Sequence, residues 1–554
     1  MNKKVCSFPI LFALLALLIG TCAVVFPASA QAAPTSTGSI TVSGTVARSY
    51  DAYQIFSANV VDGDSDAKIA TDLTWASDAV RDAALPVLHS AGMPKSQTTA
   101  QEAAEWLNTD SHLTSALSAQ LARSLQSSDA ESVALNAGTT AELSRGYWLI
   151  VADDATISQD EAGTAPIMAL VGGSAVTVKP KAATPKVQKH VLEDSTAAWQ
   201  KAADATVADD LYWRLSATVP AGLTAYDAYT VRFVDTMSVG LDPSKVAASM
   251  RVYVAAGADG GFDAVSTGKD GRAGTEPAKG WTDITAQCGV SVDGKTFTVR
   301  TGDLIAALGG ADAFTAGARV VAVYNAPLNS ACNHGIAKGN PNEVYLRYPR
   351  SPLADQSGDA SFTRTPSDDA CAYTWDLALT KRGSDGDKPL AGAVLSIADD
   401  RGRTLAADGT WDAEGKATVT TGEDGRVTVS GVDSGKLEVR ELKAPKGYTA
   451  FEGTRSVTVK AEGLDVDQVA AAKPKLTITA ESPLRADGAD GSTGSLEASL
   501  INTPAGTPPG ITTGGFMPST GDMAMYAAAA AAVAGAALIV VALLVKRGGG
   551  SHKE

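Results

Sequence analysis

Apolar and polar residues alternate in one short segment after another along this chain, with glycine, aspartate and serine between the segments. "SITVSGTVARSYDAYQIFSANV", "GYWLIV" and "SAVTVKP" read as strands at the two ends of a block spanning 31–181, because strand side chains point alternately to opposite faces. Between them Leu113, Leu117, Leu121 and Leu125 recur every four residues, the spacing of one helical face. From 182 to 352 the pattern is short alternating strands with Gly/Asp turns. The Ser/Thr/Asp-rich stretch 353–371 reads as a linker to a third strand-rich block, 372–505, in which Asp408-Gly409 and Asp424-Gly425 are hairpin-turn signals. At 554 residues the chain exceeds one core. The pattern predicts a mostly β architecture of Ig-like sandwiches in series, the first with a helical insertion.

Certain polar residues extend apolar stripes. In "WDLALTK", Trp375, Leu377, Leu379 and Lys381 share a face; in "LEVRE", Leu437, Val439 and Glu441 do; in "LEASLIN", Leu496, Ala498, Leu500 and Asn502 do. Each could mark a strand end where the face meets water, since charged residues are seldom buried. The same order recurs in the second block: Lys189 with Val187 and Val191, Asp235 with Val231 and Phe233, Asn342 with Val344, Leu346 and Tyr348. Asn340 lies on the same face as Asn342 and is an alternative partner. Isolated buried charges are costly. A buried lysine and acid can instead neutralise each other, because desolvation lowers the amine pKa and raises the carboxyl pKa. The neutral amine then attacks the Asn carbonyl, the acid relays protons, and ammonia leaves. The expected products are Lys189–Asn342 assisted by Asp235 and Lys381–Asn502 assisted by Glu441, each joining a first strand to a last. The first block offers Ile40, Val42, Gly44 and Val46 inward, with no lysine, and no such bond is expected there.

The two ends add compartment. Lys3 and Lys4, an apolar stretch and Ala28-Ser29-Ala30 make residues 1–30 a secretory signal peptide. An uncleaved anchor is the alternative reading; lipoprotein processing is disfavoured by Thr21 directly before Cys22. Residues 506–554 hold a Gly-rich linker, Met517-Pro518-Ser519-Thr520-Gly521, an apolar span from Met523 to Val545 long enough to cross a bilayer, and Lys546 and Arg547, which hold the short tail on the cytoplasmic side. A net charge of −15 argues against nucleic-acid binding. Cys288, Cys332 and Cys371 show no zinc spacing. One disulfide and one free thiol are expected, with the pair left open. No HExxH, GxSxG or P-loop is present, and "DGDSDAKIATDL" lacks the glycine and glutamate of an EF-hand loop. No cofactor or metal is expected.

These motifs carry a resemblance. Residues 517–521, the apolar span and the basic tail resemble the LPxTG-type cell-wall sorting signal of Gram-positive surface proteins, with Met517 in place of leucine. "LEVRELKAPKGY" around Glu441 resembles the E-box of Gram-positive pilins, and "KPLAGAVLSI", "VDTMSVGL" and "NEVYLRYP" resemble the isopeptide-forming, sortase-anchored backbone pilins. The resemblance implies collagen-adhesin-type sandwiches and cleavage between Thr520 and Gly521 by a sortase, which discards the membrane helix. It also implies resolution of the acyl-enzyme by a lysine of the next subunit. "VTVKPK", residues 176–181, matches the pilin motif with Lys181 as acceptor, while Lys179 stands where tyrosine is usual and competes. Implied partners are identical subunits, pilin-class and housekeeping sortases, minor or tip pilins, and peptidoglycan, with no nucleic acid. A wall-anchored adhesin that does not polymerise, or an accessory pilin, is the alternative.

Overall fold

The computed structural model describes residues 36–506 apart from 45–47, 65–66, 110, 159–160 and 181–183. The signal peptide, Lys181, the Met517–Gly521 motif and the apolar span therefore lie outside the described residues, among which no helix is long and apolar enough to cross a membrane. The chain is mostly β, and six sheets pack in pairs to give three sandwiches in series.

In the first domain, strand Thr37–Val42 lies between Thr140–Ser144 and Val176–Val178, pairing antiparallel with the former and parallel with the latter. The second sheet is built on the long strand Ser49–Asp62, which pairs with Lys68–Trp75, Ser132–Asn136 and Gly146–Ala152. Every residue of Gly146–Ala152 is buried. One face of that sheet, with Tyr50, Trp148 and Ile150, packs on Ile40, Val42 and Leu143. Its other face, with Ile55, Phe56, Leu149 and Val151, is covered by Leu117, Leu121 and Leu125. The helical insertion is thus a third layer of three helices, Asp78–Ser90, Ala100–Asn108 and Ser115–Gln126, each started by a Ser or Thr side-chain cap. Gly146 (φ +139°) sits beside the register shift at Gln54/Phe56, where a Cβ would lie 2.0 Å from Phe56 O, so only glycine fits this close approach. The first strand ends at Val42, and Gly44 is exposed, not inward as its place in the alternation suggested.

The middle domain opposes a sheet ordered 198–200, 186–193, 212–219, 318–325, 251–256, 282–283 to one ordered 202–204, 368–373, 340–349, 232–237, 296–300, 289–293. Trp213, Phe233, Phe297 and Tyr324 fill its core. The stretch expected as a linker, 353–371, contributes strand Phe362–Arg364 and most of Asp368–Tyr373, both paired to Asn340–Pro349. Its polar composition hid this, because only Phe362, Thr363, Thr365 and the last residues, Ala370 to Tyr373, turn inward.

In the third domain, strands 426–432, 375–383, 495–504 and 448–449, with 484–490, face a sheet ordered 411–412, 404–405, 394–398, 435–443, 454–462, 475–480. Trp375 and Tyr373 stack with ring centroids 6.2 Å apart across the junction with the middle domain. Gly409 and Gly425 both take positive φ, as the two hairpin signals require.

Among the described residues Cys288, Cys332 and Cys371 are free thiols, contrary to the expected disulfide. Each sulfur has its own neighbour: Ile284 O for Cys288, His334 for Cys332 and Ala372 O for Cys371.

Candidate crosslinking sites

Strand alternation carries all six predicted polar side chains into the two cores. Lys189, Asp235, Asn342 and Lys381 are 0% exposed, Asn502 2% and Glu441 6%. They form two separate trios.

In the middle domain Lys189 projects from strand Lys186–Glu193, whose pairing with Tyr212–Val219 sets Lys189 opposite Leu215. Its Nζ lies 5.4 Å from the ring centroids of both Trp213 and Tyr324. From the facing sheet come Asp235 and Asn342 on adjacent strands, with Asp235 opposite Val344 and Met237 opposite Asn342. Lys189 Nζ donates to Asp235 Oδ2, and the pair has no solvent contact. Tyr324 joins all three. Its hydroxyl accepts from Lys189 Nζ at 2.8 Å and from Asn342 Nδ2 at 2.9 Å, and donates to Asp235 Oδ2 at 3.0 Å. Burial lowers the Lys189 ammonium to about 8 against the pull of Asp235. Burial raises the Asp235 carboxyl, opposed by Lys189 and Tyr324. Burial and the nearby Asp235 charge keep the Tyr324 phenol well above its ordinary range, so it remains an O–H donor. Asp235 Oδ1 and Asn342 Oδ1 are buried without a hydrogen-bond partner.

Asn340 plays a different part from its neighbour. Its Oδ1 accepts from Asn333 N at 2.9 Å, and its Nδ2 donates to Asn333 O at 2.9 Å and Ala372 O at 3.2 Å. It holds a loop to two strands and makes none of the bonds to Lys189, Asp235 or Tyr324. Nor is the Asn342 strand the last of this domain, since Phe362–Arg364 and Asp368–Tyr373 follow it.

In the third domain Lys381 and Asn502 stand on adjacent parallel strands, where Lys381 is opposite Leu500 and Gly383 opposite Asn502. Lys381 Nζ donates to Leu500 O at 3.1 Å and lies 3.8 Å from Glu441 Oε1. Glu441 reaches in from the facing sheet. Its Oε1 accepts from Asn502 Nδ2 at 2.9 Å, and its Oε2 accepts from Phe451 N at 3.1 Å. Burial, opposed by Glu441, lowers the Lys381 ammonium to about 8. The end of the Lys381 strand is fixed by Gly425, whose carbonyl accepts from Lys381 N at 2.7 Å. Asn502 Oδ1, like Asn342 Oδ1, is buried without a partner. The oxygen and nitrogen of an amide have nearly the same shape. With them exchanged, Asn502 Oδ1 would take the contact with Glu441 that a protonated acid can donate into.

Of the remaining predicted residues, Lys179 is exposed beside buried Val178. The first domain buries Ser118 and Thr164 but no charged side chain among its described residues. Tyr324 was not anticipated. Its signal was present in "ARVVAVYN", where Ala318, Val320, Ala322 and Tyr324 alternate inward, so its hydroxyl extends an apolar stripe as the lysines do.

The sequence profile of the SpaA prealbumin-like fold domain matches residues 376–473, the part of the third sandwich that carries Lys381 and Glu441. The chain resembles the backbone pilins of Gram-positive bacteria. A curated relative, the trypsin-resistant surface T6 protein of Streptococcus pyogenes serotype M6, is 29% identical over 143 residues, and the match spans 24% of each chain. Among solved structures, the T6 backbone pilin of serotype M6 Streptococcus pyogenes aligns with 86% of this chain and 100% of its own at 16% identity and a TM-score of 0.46. The full-length major pilin SpaD of Corynebacterium diphtheriae aligns with 86% and 100% at 15% identity and a TM-score of 0.40.

Proposed function

We propose that this chain is the backbone subunit of a covalent surface pilus, with intramolecular Lys189–Asn342 and Lys381–Asn502 amide bonds in its second and third domains. The observation that carries the reading is the presence of two fully enclosed Lys–acid–Asn trios in consecutive sandwiches. In each, the acid takes the amine's proton as the neutral amine attacks Asn Cγ. The protonated acid then hydrogen-bonds the developing oxyanion and delivers a proton to the leaving nitrogen, so one C–N bond forms as another breaks and ammonia departs. In the middle domain Tyr324 shares the oxyanion task. Dry surroundings strengthen each of these contacts. The acids act once, within their own chain, and the protein is not an enzyme.

Assembly uses the end of the first domain and the C-terminal sorting motif. A pilin-class sortase cleaves after Thr520 and transfers the acyl group to Lys181 of the next subunit; a housekeeping sortase joins the finished fibre to peptidoglycan. The exposed Lys179, next to the strand Val176–Val178, supports accessibility of this segment. Replacing Lys181 with Ala in cells should collapse detergent-resistant ladders to wall-anchored monomer, read by immunoblot. Ladders that persist would move the acceptor to Lys179 or another amine. A ladder-free unmodified protein would favour the non-polymerising adhesin.

A further inference from the structure

Outside the crosslinking sites, the junction between the second and third domains gathers a second set of reactive groups. Cys332 and His334 lie in the loop between strands Ala318–Asn325 and Asn340–Pro349, and Asp376 is on the first strand of the third domain. Cys332 Sγ is 3.5 Å from His334 Nε2, and His334 Nδ1 donates to Asp376 Oδ1 at 2.8 Å. That carboxylate oxygen is itself fixed, accepting from Ser430 Oγ at 2.5 Å and Gly431 N at 3.0 Å. The loop is held as firmly: Asn333 N donates to Asn340 Oδ1 at 2.9 Å and Gly335 N to Thr374 O at 3.0 Å. A sulfur on one ring nitrogen and an oriented carboxylate on the other is the arrangement that activates a nucleophile.

The three thiols differ sharply in setting. Burial pushes Cys288 and Cys371 up to about 11, which leaves both inert at neutral pH. The bond to Asp376, then that to Cys332, raises the His334 imidazole to about 10, so a cation sits beside the third sulfur. Cys332 is buried, 9% exposed, and the His334 side chain beside it is 26% exposed.

We propose that Cys332 is the reactive thiol of this chain, a nucleophile set up by His334 and Asp376 for exchange with low-molecular-weight disulfides. The Cys332 thiolate attacks one sulfur of the disulfide RSSR. A new S–S bond to Cys332 forms as the RS–SR bond breaks, and the departing sulfur leaves as the thiolate RS⁻ while His334 keeps its proton. Cys332 is oxidised to a mixed disulfide while one RS⁻ is released, so atoms, charge and electrons balance. His334 and Asp376 act as positioning residues for this step.

The test uses 5,5′-dithiobis(2-nitrobenzoate), an aromatic disulfide, on the folded protein without residues 1–30, which removes Cys6 and Cys22, with coloured thiolate release followed against pH and the adduct mapped by peptide mass. One thiol per chain should react quickly, at Cys332. His334→Gln should slow the reaction at pH 6.5 by about tenfold and alter the pH dependence of its rate, and Cys332→Ser should abolish the fast phase. The position of the adduct in the unmodified protein needs no variant and decides the matter if His334→Gln folds poorly. Reaction only after denaturation, an adduct on Cys288 or Cys371, a Cys332–Cys371 disulfide without adduct, or a His334→Gln rate and pH profile equal to those of the unmodified protein would each overturn the proposal.

Discussion

The middle and C-terminal sandwiches bury the same three kinds of side chain but divide them between their sheets in opposite ways. In the middle domain Asp235 and Asn342 are neighbours in one sheet and Lys189 faces them from the other. In the C-terminal domain Lys381 and Asn502 are neighbours and Glu441 faces them. A Lys–Asn bond in the first would staple one sheet to the other; in the second it would join two parallel strands already linked by backbone hydrogen bonds. The middle site also needs a group that spans the gap, and the Tyr324 hydroxyl touches amine, acid and amide together. In the C-terminal site Glu441 bonds the amide directly, and Lys381 bonds a backbone carbonyl on the Asn502 strand. What the two share is not a strand address but a dry meeting place for the three groups.

Removing the acid should separate the two sites most. Asp235→Ala should block Lys189–Asn342 formation and leave Lys189 enclosed with Tyr324 as its remaining side-chain hydrogen-bond partner. The bond closes a loop of about 150 residues, for which chain-entropy arguments give roughly 5 kcal/mol, so the middle-domain Tm should fall by about 10–20 °C in calorimetry. Glu441→Ala should lower the C-terminal transition by less. There Lys381 keeps its bond to a backbone carbonyl, Leu500 O. Equal losses would mean that the division between sheets has no energetic consequence.

Tyr324→Phe sharpens the comparison, since only the middle site uses a phenol. The Lys189–Asn342 bond should form at least about tenfold more slowly after folding, followed by mass against time, while Lys381–Asn502 keeps its rate. A smaller effect concerns pH. Asn342→Ala leaves Lys189 free to titrate, at about 8 in the folded chain and near its ordinary 10.5 when unfolded. Between those values the unfolded state binds more protons, so stability of this variant should rise from pH 8 to 10.5, in urea melts. The crosslinked protein, whose Lys189 would be an amide, should show no such rise from this residue.

Much of this was legible before any coordinates. Period-two alternation was enough to place Lys189, Asp235, Lys381, Glu441 and Asn502 inward, because one strand face must be buried and the residue two places before each, Val187, Phe233, Leu379, Val439 and Leu500, is apolar. It could not choose between Asn340 and Asn342, which share a face; their roles part only through tertiary contacts, a loop amide at Asn333 for one and a phenol for the other. It could not divide the trios between sheets either, because register and sheet order come from long-range pairing. The strands at 362–364 and 368–373 were missed because their polar residues outweigh a few buried ones. The Cys332–His334–Asp376 cluster spans two domains and left no local pattern.

The most direct measurement is the intact mass of the folded, purified protein with cysteine oxidation accounted for separately, repeated after Asp235→Ala and after Glu441→Ala. The account predicts a mass short of the sequence by two ammonia molecules, one restored by each variant, with the first domain contributing none. A mass equal to that of the unlinked sequence would contradict it, and a deficit of three would show that the first domain also crosslinks.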